Sequence, residues 1–75
     1  VKGSKTSGTC FSQILREARQ EKGISQEELA DRAGLHRTYI SQIERGLSSP
    51  SLRSLEQIAQ ALDMSIAALL YRMER

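Results

Sequence analysis

Residues 26–45 read QEELADRAGLHRTYISQIER, and their pattern decides the architecture of the chain. Leu29, Ala30 and Ala33 recur at the i, i+1, i+4 spacing of one buried helical stripe. After Gly34 a second helical pattern begins, and its surface is divided differently. At about 100° per residue, Arg37, Ser41, Arg45, Thr38 and Gln42 fill one continuous arc, while Tyr39, Ile43, Ile40 and Glu44 fill the other. One side of residues 37–45 is thus a rigid strip of hydrogen-bond donors and acceptors, and the other is a core seam. A polar rod on a small apolar support has the size and chemistry to enter the major groove of duplex DNA.

The turn between the two patterns is the more specific signal. Ala30 carries nothing beyond Cβ, which lets the second helix cross closely over the first. Gly34 follows the last periodic residue, where a helix stops in a left-handed conformation that glycine reaches without strain. Leu35 then returns an apolar group beneath the turn. The order apolar–Ala–x–x–Ala–Gly–Leu, followed by Ile40 and Ile43, is that of a helix-turn-helix. On these residues the sequence resembles the lambda-repressor/Cro-type (XRE-like) helix-turn-helix family of bacterial and phage regulators, over roughly Phe11 to Leu70. The segment HRTYISQIERG is similar to the controller proteins of restriction–modification systems. The resemblance implies an all-α, five-helix lambda-repressor-like DNA-binding domain over residues 10–75, with its helix-turn-helix at 26–45.

Composition agrees with an all-α class. The 75 residues suffice for one domain, with no Trp, one Phe and two Tyr, so the core must be aliphatic. A chain this short buries a modest core, and self-association is a plausible source of further stability. No apolar run approaches the roughly 18 residues of a membrane span, and no secretory segment appears. With Cys10 as the single cysteine and His36 as the single histidine there is neither an internal disulfide nor a zinc set. A reducing cytoplasm fits best, and the resemblance implies a bacterial or phage protein associated with the nucleoid. Cys10 itself reads as a small buried or half-buried residue, with an intermolecular disulfide as the alternative. The net charge of +2 says less than its distribution. Arg32, Arg37, Arg45 and Arg53 share their span with one acid, Glu44, whereas Glu17, Glu21, Glu27, Glu28 and Asp31 cluster before it.

Residues 1–9, VKGSKTSGT, read as a disordered tail, with a minor-groove arm through Lys2 and Lys5 as the alternative. The spacing predicts a first helix over about 10–22, with Phe11, Ile14, Leu15 and Ala18 on one arc and Gly23 as its stop. Ser25-x-x-Glu28 has the form of a capping box opening the second helix. The helix 37–45 lacks a strong N-cap, since His36 stands where the family commonly has Ser or Thr; a DNA contact by His36 stays open. Pro50 stiffens the loop LSSPS, Ser51 caps a fourth helix over about 52–63, and Leu55, Ile58, Ala59 and Leu62 face inward. Ser65 caps a fifth, where Ile66, Leu69, Leu70 and Met73 share an arc flanked by Ala67 and Tyr71.

Site residues follow from the resemblance together with these positions. It implies base reading by Arg37, Thr38, Ser41 and Gln42; a forked guanidinium such as that of Arg37 suits two acceptors on one guanine. Contacts to the DNA backbone fall to Gln26, Arg45, Ser48, Ser49, Ser51 and Arg53. Gln26 stands at a helix N-terminus, whose unpaired N–H groups and partial positive charge suit a phosphate. Tyr39, on the margin of the two arcs, either packs with its hydroxyl outward or touches phosphate. The resemblance further implies a partly buried pair between Arg19 and Glu44, and a two-fold dimer at the last helix through Leu69, Leu70, Tyr71 and Met73. The expected partners are therefore double-stranded DNA and a second copy, with no cofactor.

Two other functions compete with this reading. A helix-turn-helix used for protein contacts, for example in an antitoxin subunit, would favour an acidic or apolar recognition face, unlike this Arg, Thr and Gln strip. An enzyme would need a nucleophile–base pair, a phosphate-binding glycine loop or a carboxylate pair in a cleft, and the sequence offers none of these.

Overall fold

The computed structural model describes residues 10–72, among which five helices and no strands are found. They are α1 (Phe11–Lys22), α2 (Gln26–Ala33), α3 (Arg37–Glu44), α4 (Leu52–Ala61) and α5 (Ile66–Tyr71). The tail 1–9 and Met73 lie outside the described residues. No described helix is long and apolar enough to cross a membrane.

The helix stops share one device. At Gly34 (φ 73°) the Leu35 N–H donates back to the Ala30 carbonyl at 2.9 Å, satisfying an acceptor that the ended helix leaves open. Leu47 N–H to Gln42 O at 2.8 Å and Met64 N–H to Ala59 O at 2.9 Å close α3 and α4 in the same way. The last of these turns on Asp63, a non-glycine residue at φ 58°. That explains why α4 stops at Ala61 and not at Asp63 as the periodicity predicts: Asp63 belongs to the turn. Its carboxylate accepts from Lys22 Nζ at 2.5 Å, which ties the turn to the end of α1 and holds the carboxyl below its ordinary pKa. Arg45 likewise lies just past α3, and Cys10 forms the N-cap of α1. Cys10 is exposed, against the expectation of a buried or half-buried thiol, because a capping residue stands outside the helix it opens.

A methyl group built on Gly34 would meet only Gln57 Nε2, at an ordinary 3.7 Å. The penalty of Gly34→Ala is therefore one of backbone conformation, about 1–2 kcal/mol. Urea unfolding should show a lower midpoint; an unchanged midpoint would remove Gly34 as the turn's conformational anchor.

The core is aliphatic. Ile14, Leu15, Leu29, Ile40, Ile43, Ile58 and Leu69 are fully buried, with the small residues Ala18, Ala30, Ala33 and Ala59 between them. Each large side chain contributes about 1.5–3 kcal/mol by leaving water. α2 packs on both α3 and α4, α1 packs on α3, and α5 packs on α4. Ile40 and Ile43 thus fix α3 from beneath, which leaves the arc led by Arg37 on the outside.

Candidate nucleic-acid interface

The outward arc of α3 carries Arg37 and Thr38, both exposed, then half-buried Ser41 and Gln42, then exposed Arg45. Ser48 Oγ donates to Gln42 Oε1 at 3.4 Å, so the loop after α3 steadies the carbonyl end of this amide and leaves its NH2 end as a pair of donors. Tyr39 lies half-buried with its ring against the core, at the margin of the arc. His36 is the N-cap of α3 and makes no side-chain capping bond. It lines an open cleft between α2 and the start of α3, beside Arg37. Ser49 is an exposed loop residue, and Arg53 is exposed in the first turn of α4.

Besides Ser48, two further expected backbone contacts have other occupations here. The Ser51 hydroxyl accepts from the Ser54 N–H at 3.1 Å and bonds Ser54 Oγ at 3.0 Å, so it is spent on capping α4. The Gln26 side chain donates through Nε2 to Glu44 Oε1 at 3.0 Å, which turns it toward the protein interior. Its second amide hydrogen and the N–H groups of the first turn of α2 remain for an anion. Ser25 caps that turn by accepting from the Glu28 N–H at 3.0 Å. The reciprocal half of the expected capping box is replaced by an ion pair, with Arg32 Nη2 2.7 Å from Glu28 Oε2.

The acid within the arginine-rich span is taken out of the field. Glu44 is only 3% exposed, and its carboxylate accepts from Arg19 Nε at 2.7 Å and Arg19 Nη2 at 3.0 Å as well as from Gln26. Arg19 also donates to the Ile24 carbonyl at 2.9 Å, and the bond to Glu44 raises its guanidinium pKa above the ordinary value. Arg16 adds a bond from Nη2 to the Glu44 main-chain carbonyl at 3.1 Å. One buried carboxylate thus joins α1, α2 and α3. Sequence reading reached Arg19 and Glu44 through the family resemblance but missed Arg16 and the inward bond of Gln26. No spacing rule signals a contact 28 residues away.

With Glu44 buried and Arg32 paired, Arg37, Arg45 and Arg53 have no carboxylate partner among the described residues. A rigid helix that offers guanidiniums, a hydroxyl and an amide, with no exposed acid, is chemically suited to nucleobase edges and phosphates. The helix-turn-helix family pattern matches residues 15–69, most of the chain.

The chain belongs to the XRE-type helix-turn-helix family.

Among its relatives in the family, the uncharacterized HTH-type transcriptional regulator y4dL of Sinorhizobium fredii is 51% identical over 56 residues, covering 75% of this chain and 29% of y4dL. The HTH-type transcriptional regulator SinR of Bacillus subtilis is 44% identical over 61 residues, covering 80% of this chain and 55% of SinR. The chain thus spans about half or less of these regulators. A crystal structure of SinR in complex with DNA matches with a TM-score of 0.76 at 42% identity, covering 81% of this chain and 98% of that one. The restriction–modification controller protein C.AhdI of Aeromonas hydrophila matches with a TM-score of 0.77 at 46% identity, covering 79% of this chain and 89% of that one. This helix-turn-helix chain is therefore similar to controller proteins and to a biofilm regulator alike.

The expected self-association surface is partly redrawn. Leu69 is 0% exposed and fills the protomer's own core, so it offers nothing to a second copy. Leu70 at 38% and Tyr71 at 64% exposure remain on the surface of α5.

Proposed function

We propose that the chain is a sequence-specific DNA-binding transcriptional regulator, with α3 lying in the major groove. The supporting observation is the acid-free outer arc of α3, held rigid by Ile40 and Ile43 and kept free of negative charge by the burial of Glu44. In this reading Arg37, Thr38, Ser41 and Gln42 read bases. Gln26, Arg45 and the Ser48–Ser49 loop hold phosphates. Leu70 and Tyr71 belong to a homodimer that sets two recognition helices about 34 Å apart along one face of a near-palindromic site. Its place of action is the bacterial cytoplasm, where such sites are accessible.

Selection of bound sequences from a randomised duplex library tests this directly. Enrichment of one inverted repeat, with its half-sites about one helical turn apart, is expected. Recovery of unselected sequence at low salt would leave only a non-specific basic surface and refute the reading. Within the selected site, Arg37→Ala should cost about 1–3 kcal/mol at one base position and relax the preference there. Arg45→Ala should weaken all sequences alike. Equal losses without any change in preference, measured by competition binding, would reverse this division of roles.

A further inference from the structure

Arg16 is a cation that the protein's own ion pairing does not need. Glu44 already receives both Nε and Nη2 of Arg19 and Nε2 of Gln26, which matches its single charge and engages both oxygens. Arg16 Nε stays 3.9 Å from Glu44 Oε1, beyond hydrogen-bonding distance. Its one bond runs from Nη2 to the Glu44 main-chain carbonyl, a contact that fixes the guanidinium at the negative end of the α3 dipole. A guanidinium has five N–H donors, and the Arg16 side chain is 50% exposed. Its remaining donors have no hydrogen-bond partner among the described residues, and the head is already held in place.

The surroundings indicate what it faces. Gln26 and Arg16 converge on the same Glu44 oxygen, so Arg16 neighbours the start of α2. One turn before Arg16, Ser12 lies against Gly46, and a groove there brings Phe11 and Ser12 together with Ser48, Ser49 and Pro50. Arg16 is thus set between the two segments assigned to phosphates, the α2 N-terminus and the loop after α3.

We infer that Arg16 is a phosphate-binding residue of the DNA interface, clamping the backbone between those two segments from α1. The inference rests on the DNA-binding reading above. Its bond to the end of α3 pre-positions the fork, so less side-chain freedom is lost when a phosphate oxygen is taken.

The test compares the intact chain with Arg16→Ala, Arg16→Lys and Arg16→Gln by fluorescence anisotropy, on the selected duplex and on a scrambled one across a salt series, alongside melting of the free proteins. Arg16→Ala should weaken both duplexes by roughly tenfold, with the ratio between them unchanged. Its plot of log affinity against log salt should be shallower by about 0.9 for each protomer bound, one phosphate's worth of counterions, and so by about 1.8 for the proposed dimer. Lysine should restore most of that slope. Glutamine keeps a polar side chain without the charge, though its amide is too short to reach the Glu44 carbonyl in place of Nη2, and should behave as alanine does on DNA. If the intact chain binds neither duplex, the DNA-binding reading itself falls, and this inference with it. If the intact chain binds and the Arg16 variants keep its affinity and slope, only this assignment is overturned. Weaker binding with lower melting and an unchanged slope would make Arg16 a structural brace and overturn it equally.

Discussion

Glu44→Ala should lower the melting temperature by tens of degrees or leave the chain unfolded at room temperature. The substitution removes the common acceptor of Arg19 and Gln26 from a site where Glu44 is 3% exposed. It strands the Arg19 guanidinium, whose side chain is only 13% exposed. Breaking a buried pair by deleting one partner costs about 3–5 kcal/mol. For a domain of this size each kcal/mol moves the melting point by about 4–8 °C. The loss should exceed that of Lys22→Ala, since Asp63 at the other end of that pair is largely in water. Thermal denaturation of the two variants decides the matter, and a Glu44→Ala protein that melts with the parent would show that the hub carries no stability.

Ile40→Ala should cost a comparable 2–5 kcal/mol, the range for emptying a fully buried aliphatic site. Ile40 is 0% exposed, directly beneath the outward arc of α3. Ile40→Val should cost only about 0.5–1.5 kcal/mol. At a temperature where both variants stay folded, each should keep the parent's order of preference among duplexes, because Arg37 and Thr38 take no part in the core. A smaller loss for alanine than for valine would contradict the packing described. A changed preference in Ile40→Val would show that core and reading face are coupled.

The local features of this fold were legible before any coordinates. Periodicity marked the five helices, and Gly23 and Gly34 marked two of their ends, because glycine is the residue that closes a helix through a left-handed turn without strain. Asp63 does the same work without being a glycine, so periodicity alone carries α4 two residues too far. The helical wheel identified the inward residues of α3 but could not divide the apolar arc of α5. Whether Leu69 or Leu70 is covered depends on the tilt of that helix on α4, which no single-helix pattern encodes. The site divides in the same way. Residues on the outer arc were readable from one element alone. The bonds of Gln26 and Arg16 to Glu44, and the commitment of Ser51 to capping, depend on how separate elements meet.

The hidden carboxylate also separates two jobs within eight residues of helix. Everything that anchors α3 (Ile40, Ile43 and Glu44) points inward, and the most exposed positions of its other side, Arg37 and Thr38, anchor nothing. Those outward letters can be rewritten while the grammar beneath them stands. If α3 reads DNA as proposed, a descendant of this gene acquires a new address on the chromosome by changing a few side chains, without having to learn to fold again.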